Sequence, residues 1–255
     1  MEEPIAIEAL NALSLELHAL CHQLPLRAFQ TRALEGISAL IPHDSALIAV
    51  GTVRAGVPEA HDAFLHRQTP ELMQSWELVK TEDVVSFITT SSPGKTFAFE
   101  SAVAYPPGSG IMAHCERFGI LQLLSTATVD TRAGSFVVVS LYRAEREHRY
   151  TERERATMEL LMPHLVASMR MARIDDLRRA THVHLAHAPA AAIINRQGVV
   201  LEAEARFFDL LALVEADFRG PTLPEPLMPF ARVTAPERRP VGRLMVRADP
   251  ASDVV

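Results

Sequence analysis

Two long β-forming runs, ILQLLSTATV (120–129) and SFVVVSLYR (135–143), stand only five residues apart, joined by DTRAG. A connection of that length closes an antiparallel hairpin, whereas a parallel crossover needs a dozen residues or more. Gly134 supplies the backbone freedom that such a turn demands. A third run, SALIAVGTV (45–53), is short and rich in small and β-branched residues, which reads as a buried strand. Past Gly56 and Pro58, HDAFLHRQ (61–68) reads as its partner. The sheet is therefore expected to be antiparallel.

The rest of the chain is written in the helical period. Ile7, Leu10, Leu13, Leu17 and Leu20 recur at spacings of three and four, and Pro25 closes that segment. Phe29, Leu34, Ile37 and Leu40 form a second stripe that ends at Pro42. Thr69-Pro70-Glu71 begins a third helix, ELMQSWELVK. Shorter helices are predicted over 83–90 and 110–118, with loose chain at SSPGKT and YPPGSG. Thr151 and Glu154 make a capping box that opens a long helix reaching about Ala180. The class is α+β, an antiparallel sheet flanked by helices.

Past His187 the character changes. IINRQGVV reads as strand, tight turn at 196–198 and strand; ARFFDLL follows as a helix, prolines are dense over 219–240, and RLMVRAD is a last strand. There is no internal repeat. No run approaches the roughly 18 apolar residues of a spanning helix, and the acidic start MEEPIAIEAL lacks the basic region of a secretion signal. The expected location is the cytoplasm. Cys21 and Cys115 are too few for a disulfide framework and are expected to be buried thiols. A formal net charge of -6 argues against a nucleic-acid footprint on these residues.

Chemistry-bearing motifs are sparse. Gly94-Lys95-Thr96 matches the end of a phosphate-binding loop, but Thr89 stands where the first glycine belongs and no good helix follows, so an ordinary turn is expected. His182, His184 and His187 have no thiol or carboxylate cluster beside them and read as a polar linker. His18, Cys21 and His22 have helical spacing but read as half-buried packing, so no metal site is assigned. Around Ser109, PPGSGIM lacks the strand of a nucleophile elbow, and neighbouring His114 and Cys115 point apart on a helix. No catalytic residue and no cofactor are assigned. The aromatic and methionine side chains of the middle region, Trp76, Phe87, Phe97, Tyr105 and Met112, are the candidates for lining a small-molecule pocket. Plain core packing is the competing reading, above all for Trp76, which shares a helical face with Leu72, Met73 and Val79.

Four stretches together resemble the effector-sensing half of LuxR-type helix-turn-helix transcription regulators with a GAF-like N-terminal domain. They are IPHDSALI (41–48), FGI (118–120), VVVSLYRAEREHRYTERERATMELLMPHLVASM (137–169) and GPTLPEPL (220–227). The resemblance implies a GAF-like sensor domain over 1–180 and a small PAS-like unit over 181–255. It also implies an unidentified small-molecule effector, a homodimer, and DNA contact only through a module not present in these residues. No ligand or cofactor signature carries over residue by residue. On this reading Leu160, Leu161 and Leu165 close the sheet. Val166 and Met169 then face a partner subunit beyond a hinge at Pro163. Alternatively, Pro163 opens a second helix after a connecting turn, because a proline in a helix interior costs roughly 3 kcal/mol and its predecessor avoids the helical region.

Overall fold

A computed structural model describes residues 7–131, 133–181, 190, 192–195, 197–216, 218, 220–231, 239–241 and 244–246. Helices α1 (Ile7–Leu20) and α2 (Leu26–Leu40) precede a hairpin of β1 (Ser45–Arg54) and β2 (Val57–His66). The β2 strand begins earlier than its sequence suggests, directly after the turn at Ala55 and Gly56, both at positive φ. Then come α3 (Glu71–Val79), α4 (Val84–Ser91), β3 (Thr96–Glu100), α5 (Ser101–Ala104) and α6 (Gly110–Arg117). The second hairpin, β4 (Gln122–Asp130) and β5 (Ser135–Arg143), leads into α7 (Glu152–Thr181). All pairings are antiparallel in a five-stranded sheet of order β2-β1-β5-β4-β3.

The α+β arrangement expected from the sequence, an antiparallel sheet flanked by helices, is present. The β3 edge strand is one element the sequence reading missed, as are the short helices at Ser101–Ala104 and Met228–Ala231. Five residues behind Gly94, which takes φ +81, carry too little periodicity to stand out, and pairing with β4 makes them a strand. Lys95-Thr96 thus leads into a strand, where a phosphate loop would lead into the N-terminus of a helix.

Both faces of the sheet are covered, which explains why its central strands read as nearly unbroken apolar runs. Successive side chains alternate between faces. Ala46, Ile48, Leu124, Val139 and Leu141 point into a core shared with Leu17, Phe29, Ile37, Leu161 and Leu165 from α1, α2 and α7. On the opposite face, Leu123 and Tyr142 meet Leu72, Val85, Ile111 and Cys115 from α3, α4 and α6.

One corner ties three of the elements together. Arg143 Nε donates to Pro42 O at 2.8 Å, Ala144 N donates to Asp44 Oδ2 at 2.8 Å, and Arg143 also pairs with Glu154. The Arg143 guanidinium lies 3.9 Å from the Tyr150 ring centroid. The expected capping box forms beside it: Glu154 N donates to Thr151 Oγ1 at 3.2 Å, and Thr151 N donates to Glu154 Oε2 at 2.8 Å. The motifs PHD, LYRA and YTERE, which carry the family resemblance, thus meet in one scaffold joint.

Pro163 lies inside a single continuous helix, so the second-helix alternative does not hold. It is exposed, and the missing hydrogen bond falls on the side that water reaches. Met169 corrects the sequence reading. It is 5% exposed and belongs to the same core as Leu161, Leu165 and Ala172, with Val166 packed against it, whereas Leu160 is 50% exposed. The physical reason is the unbroken helical period: 158, 161, 165, 169 and 172 form one stripe, and a proline on the far face does not rotate it.

Further along, in a small C-terminal unit, β6 (Ala192–Ile194) and β7 (Val200–Ala203) pair beside α8 (Ala205–Val214) and α9 (Met228–Ala231), sharing the apolar cluster of Val200, Ala203, Phe208, Leu211 and Ala231, while β8 (Arg239–Val241) and β9 (Leu244–Val246) pair separately. Val199 and Leu201 pack on Val50 and Val137 of the main sheet. Arg170 of α7 binds Glu202 at 2.7 Å and donates to Ala203 O at 2.6 Å. His182, His184 and His187 lie outside the described residues.

Candidate functional site

Between the sheet and the layer of α3, α4 and α6 the packing is incomplete. It leaves a cavity with an empty volume of about 730 Å³, including the part that opens to solvent. Small residues on the strands create the room. Ala49 and Ala60 are set among the larger Leu47, Leu123, Phe136 and Val138 on the sheet wall. A bulge at Val50/Gly51 lets β2 curve past, and a Cβ on Gly51 would stand 2.2 Å from Glu59 O and 2.6 Å from the Phe136 ring. The helical wall contributes Leu72, Met73, Trp76, Val85 and Ile111.

The polar centre of this apolar space is Asp83, 8% exposed. Its two oxygens receive four donors. Oδ1 accepts from Ser86 N at 3.0 Å and from the Tyr105 hydroxyl at 2.6 Å. Oδ2 accepts from Trp76 Nε1 at 2.8 Å and from Ser86 Oγ at 2.5 Å. One residue thereby caps α4 and orients two aromatic side chains of the wall, Trp76 and Tyr105. Burial, with the Asp83 carboxylate adding to it, holds the Tyr105 hydroxyl far above the usual tyrosine range, so it stays a donor. Deeper in, the Ser125 and Ser140 hydroxyls are 2.8 Å apart.

Of the five residues singled out from sequence, Trp76 and Tyr105 lie together on the cavity wall. Met112 is buried in the adjoining cluster without reaching the wall. Phe87 is 53% exposed, on the outer face of α4, because its neighbours Val85 and Ser86 take the inward positions. Phe97 is half-buried on β3, stacked on Phe99 with centroids 5.9 Å apart. Sequence reasoning passed over Asp83. An acid directly before an apolar helix signals a cap, and only the fold shows that Trp76 and Tyr105 converge on it.

Burial pushes the Cys115 thiol up to about 12, and His114 is held below the ordinary imidazole value by burial. His114 Nδ1 is engaged with Ser75 Oγ at 3.0 Å.

No protein-family model and no curated protein matches the sequence. Solved structures do match. One is the N-acylhomoserine lactone dependent LuxR family transcription factor CepR2 of Burkholderia cenocepacia, at 13% identity and TM-score 0.51, over 66% of this chain and 98% of that one. SdiA of Escherichia coli aligns at 10% identity and TM-score 0.46, over 67% and 68%. The phycoerythrobilin-bound GAF domain of a cyanobacterial phytochrome aligns at 12% identity and TM-score 0.41, over 65% and 97%. The likeness to CepR2 establishes the shared fold.

Proposed function

We propose that this chain is the effector-sensing part of a LuxR-type transcription regulator, acting as a homodimer and reaching DNA through a module outside these residues. The observation that carries the proposal is the apolar cavity organised around Asp83. Pockets of this make-up, mostly hydrophobic with a few convergent polar groups, suit small organic ligands. The shared fold with CepR2 and the family resemblance of the sequence supply the regulatory context. The effector in this reading is a small, largely apolar molecule with a polar head that meets the Ser125 or Ser140 hydroxyl. It is bound without covalent change.

The sheet offers a route for the signal. Ala49 and Val138 face the cavity, while their chain neighbours Val50 and Val137 touch Val199 and Leu201 of the C-terminal unit on the other face. A ligand that favours one packing of the wall shifts the population of arrangements beyond it. The C-terminal unit, PAS-like in this proposal, relays that shift onward.

The test is thermal denaturation of the purified chain against a metabolite panel that includes N-acylhomoserine lactones, with Ala49→Phe, designed to fill the cavity, alongside. A ligand present at about 100 times its Kd adds about 2.7 kcal/mol of stability to the wild type. Ala49→Phe is expected to lose that response. An equal response in both proteins refutes the cavity as the site. Sedimentation analysis tests the dimer, and a monomer throughout the micromolar range sinks that part.

A further inference from the structure

The last turn of α1 and the turn that follows it gather three metal-ligating side chains. Cys21 and His22 follow His18 by three and four residues, and Cys21 N still donates to Leu17 O at 3.1 Å, which carries the helical sense into the turn and keeps the three on one side. One donor atom from each lies within 4.8 Å of the others. Cys21 is buried, whereas His18 and His22 are exposed, their rings edge to face with centroids 5.6 Å apart. Tetrahedral zinc, with Zn–S about 2.3 Å and Zn–N about 2.0–2.1 Å, places its ligand atoms roughly 3.3–3.6 Å from one another. Closing the set from that separation falls mainly to the exposed His18 ring, since Asp175 holds the His22 ring.

The surroundings point the same way. From α7, Asp175 places Oδ2 2.8 Å from His22 Nδ1, across 153 residues of sequence. A histidine that donates Nδ1–H to a carboxylate carries its lone pair on Nε2 and is held in orientation, the arrangement that metal-ligating imidazoles adopt. Asp175 is itself anchored by its neighbour, since Asp176 Oδ2 accepts from Leu26 N at 2.6 Å at the start of α2. The carbonyl-rich end of α1 adds a partial negative charge that favours a cation. Cys21 Sγ already points along that end, 3.0 Å from His18 O.

We infer that His18, Cys21 and His22 form a binding site for a divalent zinc-like ion, with Asp175 orienting His22 and water completing the tetrahedron. Binding expels the Cys21 thiol proton and leaves a thiolate on the metal. The ion fastens the α1–α2 turn to α7, the helix whose Arg170 grips the C-terminal unit and whose Arg173 binds Asp62 of β2 at 2.7 Å.

Cobalt titration of the chelator-treated chain, followed by absorbance, tests the site apart from any effector response. The expected result is one equivalent of Co2+ with a thiolate-to-cobalt charge-transfer band, displaced by Zn2+. Cys21→Ser abolishes the band, and His18→Gln, at an exposed position that does not disturb the core, weakens binding at least tenfold. Asp175→Asn keeps the band with affinity about 10- to 100-fold lower. A His184→Gln/His187→Gln control binds like the wild type. Absence of stoichiometric uptake overturns the inference, as does a band that survives Cys21→Ser or an affinity unchanged in the His18→Gln/His22→Gln pair.

Discussion

Replacing Asp83 by asparagine changes one oxygen to an amide nitrogen and almost nothing in volume, yet the structure predicts a large loss. Each carboxylate oxygen accepts an obligate N–H donor, Ser86 N on Oδ1 and Trp76 Nε1 on Oδ2. Neither donor can reverse its role. Whichever way the amide is turned, its NH2 faces one of them, and that donor is left unpaired in a buried site. An unsatisfied buried group costs about 1–3 kcal/mol, and the remaining bonds lose their charge assistance, which roughly halves their strength. The total is about 3 kcal/mol. For a chain of this size each kcal/mol moves Tm by about 2–4 °C, so the expected drop is about 6–12 °C. Tyr105→Phe removes one donor and leaves three, so it should cost only about 1 kcal/mol. Urea denaturation and calorimetry on the three proteins settle the ranking. If Asp83→Asn is within 1 kcal/mol of the wild type, or milder than Tyr105→Phe, Asp83 is not the hub of this wall.

Met169→Ala should cost about 2–5 kcal/mol, since the side chain fills the main core; a change in association without loss of stability would restore it to a subunit interface. Gly51→Ala drives a Cβ against the Glu59 carbonyl and is expected to destabilise by about 1–3 kcal/mol, read as a shifted denaturant midpoint. His43 and His66 are both held below the ordinary imidazole value by burial, so each is neutral in the fold. A depressed folded pKa contributes stability that is present above the unfolded value of about 6.5 and is lost as pH falls below it. Urea midpoints should therefore decline from pH 7 towards pH 5, and His43→Phe should flatten the slope. A midpoint that rises over the same interval contradicts this sign.

Much of the scaffold was legible because it is local. The DTRAG hairpin, the Thr151–Glu154 capping box and the Thr69-Pro70-Glu71 helix start each place their physical cause within five residues of their effect. The β3 strand was not legible, since Thr96–Glu100 is extended only because β4 lies beside it. The pocket candidates divided for a related reason. Composition marked Trp76, Phe87, Phe97, Tyr105 and Met112 alike, but helix phase alone turned Phe87 outward, and pairing at the sheet edge set Phe97 against Phe99.

The sequence by itself determined the alternation of strands and helices, the antiparallel connection and the caps, because hydrogen bonding and side-chain period act over a few residues. Only the tertiary structure decided that Asp83 would gather Trp76 and Tyr105 around a cavity, that Met169 would be core, and that Asp175 would reach His22. Those outcomes depend on which faces meet, and a face is met by residues up to 153 positions away. No local preference encodes that distance; the closing of two apolar surfaces on one sheet does.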